Sequence, residues 1–125
     1  MQRLTFSRSE RLRRAADFDR VYSNGKRVAA VSLLLIFCSS PSQTTRLGVS
    51  VGRKIGKAVV RNRVKRLLRE CFRLNKHKIK KGYDILLVAR KGVEELKFAQ
   101  VEGLVLDLFR RGGLLVEEGG NSPRR

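Results

Sequence analysis

The sequence predicts a single α/β domain, and three observations carry that prediction. A chain of 125 residues suits one compact core and is too short for two ordinary ones. Apolar runs of strand length alternate with segments of helical period. Near the middle a strand, a long helix and a strand follow one another, the order of a parallel crossover.

The first element, Arg8 to Ser23, reads as an amphipathic helix capped by Ser9, with Leu12, Ala15, Ala16, Phe18, Asp19 and Tyr22 in roughly helical register. Asn24-Gly25 stops it. Val28 to Cys38 is rich in Val, Leu, Ile and Phe and suits one long strand, or two with a break near Ala30. Ser39 to Gln43 is a turn, and Leu47 to Val51 alternates apolar with small residues, a strand whose unbulky side a ligand could approach. Tyr83 to Ala89 is a nearly continuous apolar run, as expected of a strand buried on both faces. A last helix runs from about Glu94 to Arg111, stopped by Gly112-Gly113. The domain is expected to span 1–115, with 116–125 a disordered tail.

The central helix between these strands is the most informative segment. At 100° per residue from Arg61, the residues Val60, Val64, Leu67, Leu68, Cys71 and Leu74 fall between about 220° and 340°, a core stripe. Asn62, Lys65, Arg66, Arg69, Arg73 and Lys76 fall between about 40° and 140°, with Arg61 and Arg63 at the borders of the polar arc. From Arg53 to Arg73 the cations are Arg53, Lys54, Lys57, Arg61, Arg63, Lys65, Arg66, Arg69 and Arg73, against the single acid Glu70. A solvated helix face normally mixes signs. Here almost nothing compensates the positive charge.

Over the whole chain 29 Lys and Arg face 11 Asp and Glu, a formal charge of +18. Self-repulsion on that scale calls for a polyanion. The longest apolar run is about half the roughly 20 residues a membrane helix needs, and Met1 to Ser7 holds no apolar signal core. Nucleic acid is therefore the expected partner, in the cytoplasm and without a membrane. Arg outnumbers Lys on the central helix, and its planar fork suits phosphate contact and base stacking. Phe18 and Tyr22, four apart, are either core residues or stacking platforms for unpaired bases.

Bond-breaking by the polypeptide is not expected. Cys38 and Cys71 are read as reduced packing residues, His77 is the only His, and no C-x-x-C or P-loop occurs. The acids Asp17, Asp19, Glu70 and Asp84 are scattered and read as solubilising or ion-pairing residues, so no catalytic residue and no metal site is assigned to the protein.

Arg61-Asn62-Arg63-Val64-Lys65-Arg66-Leu67-Leu68-Arg69, preceded by Arg46 to Val60, resembles the R-N-R-x-K-R-x-x-R signature of the bacterial ribonuclease P protein. The likeness extends from about Arg8, through Asp17-Phe18, Val21-Tyr22 and Gly25, to Asp84–Arg90 and the last helix. It implies an α/β (α+β) two-layer sandwich in the order α-β-β-β-α-β-α, with a four-stranded mixed sheet and a left-handed βαβ crossover. It also implies a partnership with a catalytic RNA and precursor tRNA, with no obligate protein partner. RNA binding would fall to Arg53, Lys54, Lys57, Arg61, Asn62, Arg63, Lys65, Arg66, Arg69 and Arg73, and binding of the single-stranded 5′ leader to Phe18, Tyr22 and Ser50, with Arg53, Lys54 and Lys57 in the same cleft. Mg²⁺ would be held mainly by RNA and substrate, and the RNA would carry catalysis. Relatives often carry an aromatic late in the first long strand, where this chain has Ile36, with Phe37 next and facing the opposite way.

Two rival readings share the charge and size. A structural RNA-binding module of ribosomal-protein type would contact no leader, and a stand-alone metal-dependent nuclease would cut RNA without an RNA subunit.

Overall fold

The computed structural model of the chain describes residues 6–116. A short 3-10 turn at Arg8–Glu10 leads into α1 (Ala15–Asn24), followed by β1 (Lys26–Ala29), β2 (Leu33–Ser39) and β3 (Arg46–Ser50). A second 3-10 turn, Arg53–Ile55, precedes α2 (Ala58–Asn75), which is followed by β4 (Tyr83–Ala89) and α3 (Phe98–Arg111). The four strands form one mixed sheet in the order β1-β2-β4-β3. β1 and β4 run antiparallel to β2, while β3 runs parallel to β4, the pairing expected of strands joined through α2. The α+β fold and its element order are as the sequence and its resemblance indicated.

Alternation along the strands sends side chains to two different cores. Leu33, Leu35 and Phe37 of β2, Leu47 of β3 and Ile85 and Leu87 of β4 pack against Val64, Leu68, Cys71 and Phe72 of α2 and Val101, Val105, Leu108 and Phe109 of α3. The opposite face carries a much smaller core: Leu34, Ile36 and Leu86 against Leu12 and Val21, flanked by Phe18, Cys38 and Val88. Most of the burial thus lies under α2 and α3, and α1 covers the other face with little apolar area.

Three expectations need correction, two about element limits and one about the buried face of α2. The first helix begins at Ala15, not Arg8: Glu10 accepts from the Ser7 amide at 2.8 Å, closing a single 3-10 turn, and Arg11 is extended. Leu12 is buried as an extended residue, its amide donating to the Leu47 carbonyl at 3.0 Å. The core face of α2 is centred nearer Phe72, 1% exposed and at about 20° on the same wheel, so Val60, Leu67 and Leu74 are only half-buried. Buried Asn75 joins this face because its amide donates to the Cys71 carbonyl and the Glu102 carboxylate. The last helix starts at Phe98, after a separate 3-10 turn at Val93–Glu95. The break in the long apolar run does fall at Ala30, whose amide donates to Leu33 across a turn. Of the expected tail, 117–125 lies outside the described residues, and Val116 donates its amide to the Lys78 carbonyl at 2.8 Å.

Candidate nucleic-acid interface

Register places the side chains of the α1-facing sheet surface in three rows. Asp84 of β4 lies between Cys38 of β2 and Arg46 of β3; Leu86 lies between Ile36 and Gly48; Val88 lies between Leu34 and Ser50. Helix α1 sits over the first two. Val21, fully buried, reaches the small core, and Phe18 closes over Gly48, where a Cβ would come within 2.7 Å of the ring. The third row, with Val88 and Ser50 half-buried, is less completely covered. Ile36 is wholly buried in the second row, and Phe37 points to the other face, where its ring meets Tyr83 edge-on at 6.0 Å. Strand β2 therefore offers no exposed ring to a base.

Of the two aromatics on α1, Phe18 is half-buried and Tyr22 is 53% exposed. The guanidinium of Arg27 lies 4.7 Å from the centre of the Tyr22 ring and donates to the Tyr22 carbonyl at 2.7 Å. This cation–π contact occupies one ring face. A cleft of about 130 Å³ opens beside Phe18, lined by Arg11, Arg13, Leu47, Gly48, Val49 and Arg69 among others. Arg69 reaches it from α2. Burial and then the like charge of Arg11 both push the Arg69 guanidinium below its ordinary value, so two cations meet there without a neutralising acid.

The remaining basic residues are arranged around α2. Arg53 and Lys54 stand exposed on the turn before it, and exposed Lys57 is its N-cap residue. Gly56, at φ 151°, makes the bend between them, a conformation that a Cβ disfavours. Arg61 turns back to donate from Nε to the Gly56 carbonyl at 3.0 Å, and Arg63 donates to the Glu94 carbonyl on the opposite flank. Asn62, Arg66 and Arg69 are exposed, Lys65 and Arg73 half-buried.

Few of the cations on this face are neutralised by an acid. Five acids pair away from it: Glu10 with Lys76, Asp17 and Asp84 with Arg20 and Arg46, Glu94 with Lys91, and Asp107 with Arg110 and Arg111. On α2, Arg73 pairs with Glu70. Among the described residues Arg53, Lys54, Lys57, Arg61, Arg63, Lys65, Arg66 and Arg69 form no ion pair with a carboxylate. Arg53, Lys54 and Lys57 thus stand before α2, Asn62, Arg66 and Arg69 on its exposed side, and Arg61 and Arg63 on opposite flanks; Phe18 and Arg69 line the cleft, and Ser50 ends the strand that forms its β3 side. Sequence reasoning missed Arg11, Arg13 and Arg27, which belong to the same surroundings. It had no signal for them, because only the fold brings Arg11 and Arg13 to the cleft and Arg27 onto the Tyr22 ring.

No group of three or more His, Cys, Asp or Glu among the described residues could hold a metal ion. Cys71 is buried in the main core, and burial, with the negative charge of Glu102 and Glu70, pushes its thiol up to about 12. No described helix is long and apolar enough to cross a membrane.

Comparison with known proteins places this chain in a family. The ribonuclease P protein component of Clostridioides difficile (strain 630) is 38% identical over 109 residues, covering 86% of this chain and 96% of that one. That of Caldanaerobacter subterraneus subsp. tengcongensis is 42% identical over 108 residues, covering 86% and 93%. Among solved structures, the Staphylococcus aureus RNase P protein superposes with a TM-score of 0.80 at 30% identity, covering 86% of this chain and 98% of that one. The protein from Thermotoga maritima superposes at 0.75 with 39% identity, covering 82% and 96%. With the ribonuclease P family model matching residues 6–112, the chain belongs to the ribonuclease P protein family and is a protein component of that tRNA-processing ribonucleoprotein enzyme.

Proposed function

We propose that this chain binds the catalytic RNA of ribonuclease P through the outward face of α2 and holds the 5′ leader of precursor tRNA in the adjoining cleft, assisting Mg²⁺-dependent removal of the leader. The single observation that carries the reading is the band of cations without carboxylate partners beside a cleft containing Phe18. Asn62 and Arg66 project away from the core and suit an RNA backbone. Arg53, Lys54 and Lys57, at the start of α2, and Ser50, at the end of β3, line the route a single strand would take past Phe18 and Tyr22. Stacking on rings and charge along a groove is the usual chemistry of unpaired strands.

On this reading the Mg²⁺ belongs to RNA and substrate, whose phosphates supply hard oxygen ligands, and no step is routed through the protein. What the protein supplies is charge: two polyanions must approach each other, and a +18 chain lowers the repulsion between them. Reconstitution tests the proposal. Protein with ribonuclease P RNA should cut precursor tRNA at lower Mg²⁺ than the RNA alone, and rigorously RNA-free protein should not cut it. Turnover by the RNA-free protein would establish the stand-alone nuclease instead.

A further inference from the structure

A buried acid beneath α1 has no part in the charge band just described. Asp84 is fully buried, the position at which a carboxylate is most costly unless it is paired and hydrogen-bonded. It is satisfied from two elements at once. Arg46, its neighbour across the β3–β4 pairing, grips it with Nε at 2.8 Å and Nη2 at 2.7 Å, a two-pronged contact. Arg20, on α1, donates to the same carboxylate through Nη2 and reaches the Cys38 sulfur and the Ser39 carbonyl through Nη1. Asp17, one turn earlier, lies 3.6 Å from both guanidinium groups.

The apolar contacts that share in fixing that helix are few: Val21 in the small core and Phe18 over Gly48. α1 has ten residues, its N-cap Arg14 makes no side-chain capping bond, and Val21 is its one buried residue. A helix that short is marginal alone, so its pose is set by tertiary contacts. With residues 100° apart, Asp17 and Arg20 lie on one side of Val21, and Phe18 and Tyr22 on the other. An anchor on one flank therefore sets the roll of the aromatic flank.

We propose that Asp84 is a positioning residue for the leader: by holding Arg20 of α1 against Arg46 of β3, it fixes where Phe18 and Tyr22 stand over the sheet. The inference rests on the leader-binding reading above. It does not involve α2, which packs against the main core on the opposite sheet face.

The test uses reconstituted holoenzyme with Asp84→Asn, and with Arg20→Ala, which keeps the Asp84–Arg46 grip and leaves no buried acid without a partner. For each, RNA-subunit affinity, thermal unfolding and Kd are measured for precursor tRNAs with long and short leaders and for mature tRNA. Both variants should bind the RNA subunit and mature tRNA as the parent does, while the long-leader substrate weakens about tenfold, roughly the loss of one base stack. If the parent discriminates by leader length and a folded variant does so equally, the positioning role is wrong and the leader reading stands. If a variant loses affinity for all substrates in step with its unfolding temperature, Asp84 is only structural and the proposal fails. A parent indifferent to leader length overturns the leader reading and this inference with it.

Discussion

The ring of Phe18 lies directly on Gly48: a Cβ added to that glycine would sit 2.7 Å from Cζ and 2.9 Å from Cε1, and 3.1 Å from the Leu12 Cβ. The absence of a side chain on β3 is what lets α1 approach the sheet and brings Phe18 to the edge of the basic cleft. Gly48→Ala should therefore displace the ring and cost about 1–3 kcal/mol of stability, the usual range for overpacking. Chemical denaturation measures the loss, and an unchanged midpoint would show that the ring moves aside without strain.

Phe18 and Tyr22 should behave differently when truncated, because one is half-buried and the other 53% exposed. Tyr22→Ala should leave the unfolding temperature nearly unchanged and weaken leader-bearing substrates by about 1–3 kcal/mol, with mature tRNA unaffected. Phe18→Ala should lower both stability and leader affinity, its stability cost staying below the roughly 3–5 kcal/mol of a fully buried ring. Equal loss of stability in the two variants would contradict these placements.

Acid should unfold the protein in part through Asp84. Burial alone would raise its carboxyl, but the hydrogen bonds and charge of Arg46 and Arg20 outweigh this and hold it below the ordinary carboxylate value. A depressed pKa stabilises the fold above the unfolded value, about 3.9, and that contribution is lost as pH falls through the lower folded value. Compared with the parent, Asp84→Asn should lose less stability as pH falls below about 4. The other depressed carboxyls, Glu10, Glu70, Glu94 and Asp107, remain in both proteins. Parallel stability–pH curves would remove Asp84 from the account.

Much of this was legible in the sequence where a single physical pattern dominated. The basic arc of α2 and its separation from the apolar stripe followed from helical period alone, and the R-N-R signature supplied the family. The sequence misled where a residue's role depends on a distant partner. Leu12 fits the helical spacing of α1, yet it is buried by an extended segment that pairs with Leu47. Phe72 stands between a cysteine and an arginine, and only its contact with Phe6, rings 5.4 Å apart, and the surrounding core draws it inward. Asp84 was read as an ion-pairing acid, but its partners were not. A signal existed: Arg46 opens β3 and Asp84 follows the first residue of β4, strands that a crossover makes neighbours, so opposite charges at those positions meet in register.

The central claim is that the α2 cations without carboxylate partners are an RNA-anchoring surface and not a solvated face. Its most direct test is the salt dependence of association with ribonuclease P RNA for the parent and for Lys65→Ala/Arg66→Ala, two sites that carry no ion pair with a described acid. Each lost phosphate contact should reduce the slope of log K against log salt by about 0.7 to 0.9, so the double variant should bind more weakly at low salt and show a shallower slope by about 1.4 to 1.8. A variant that binds with the parent's slope and affinity would contradict the claim.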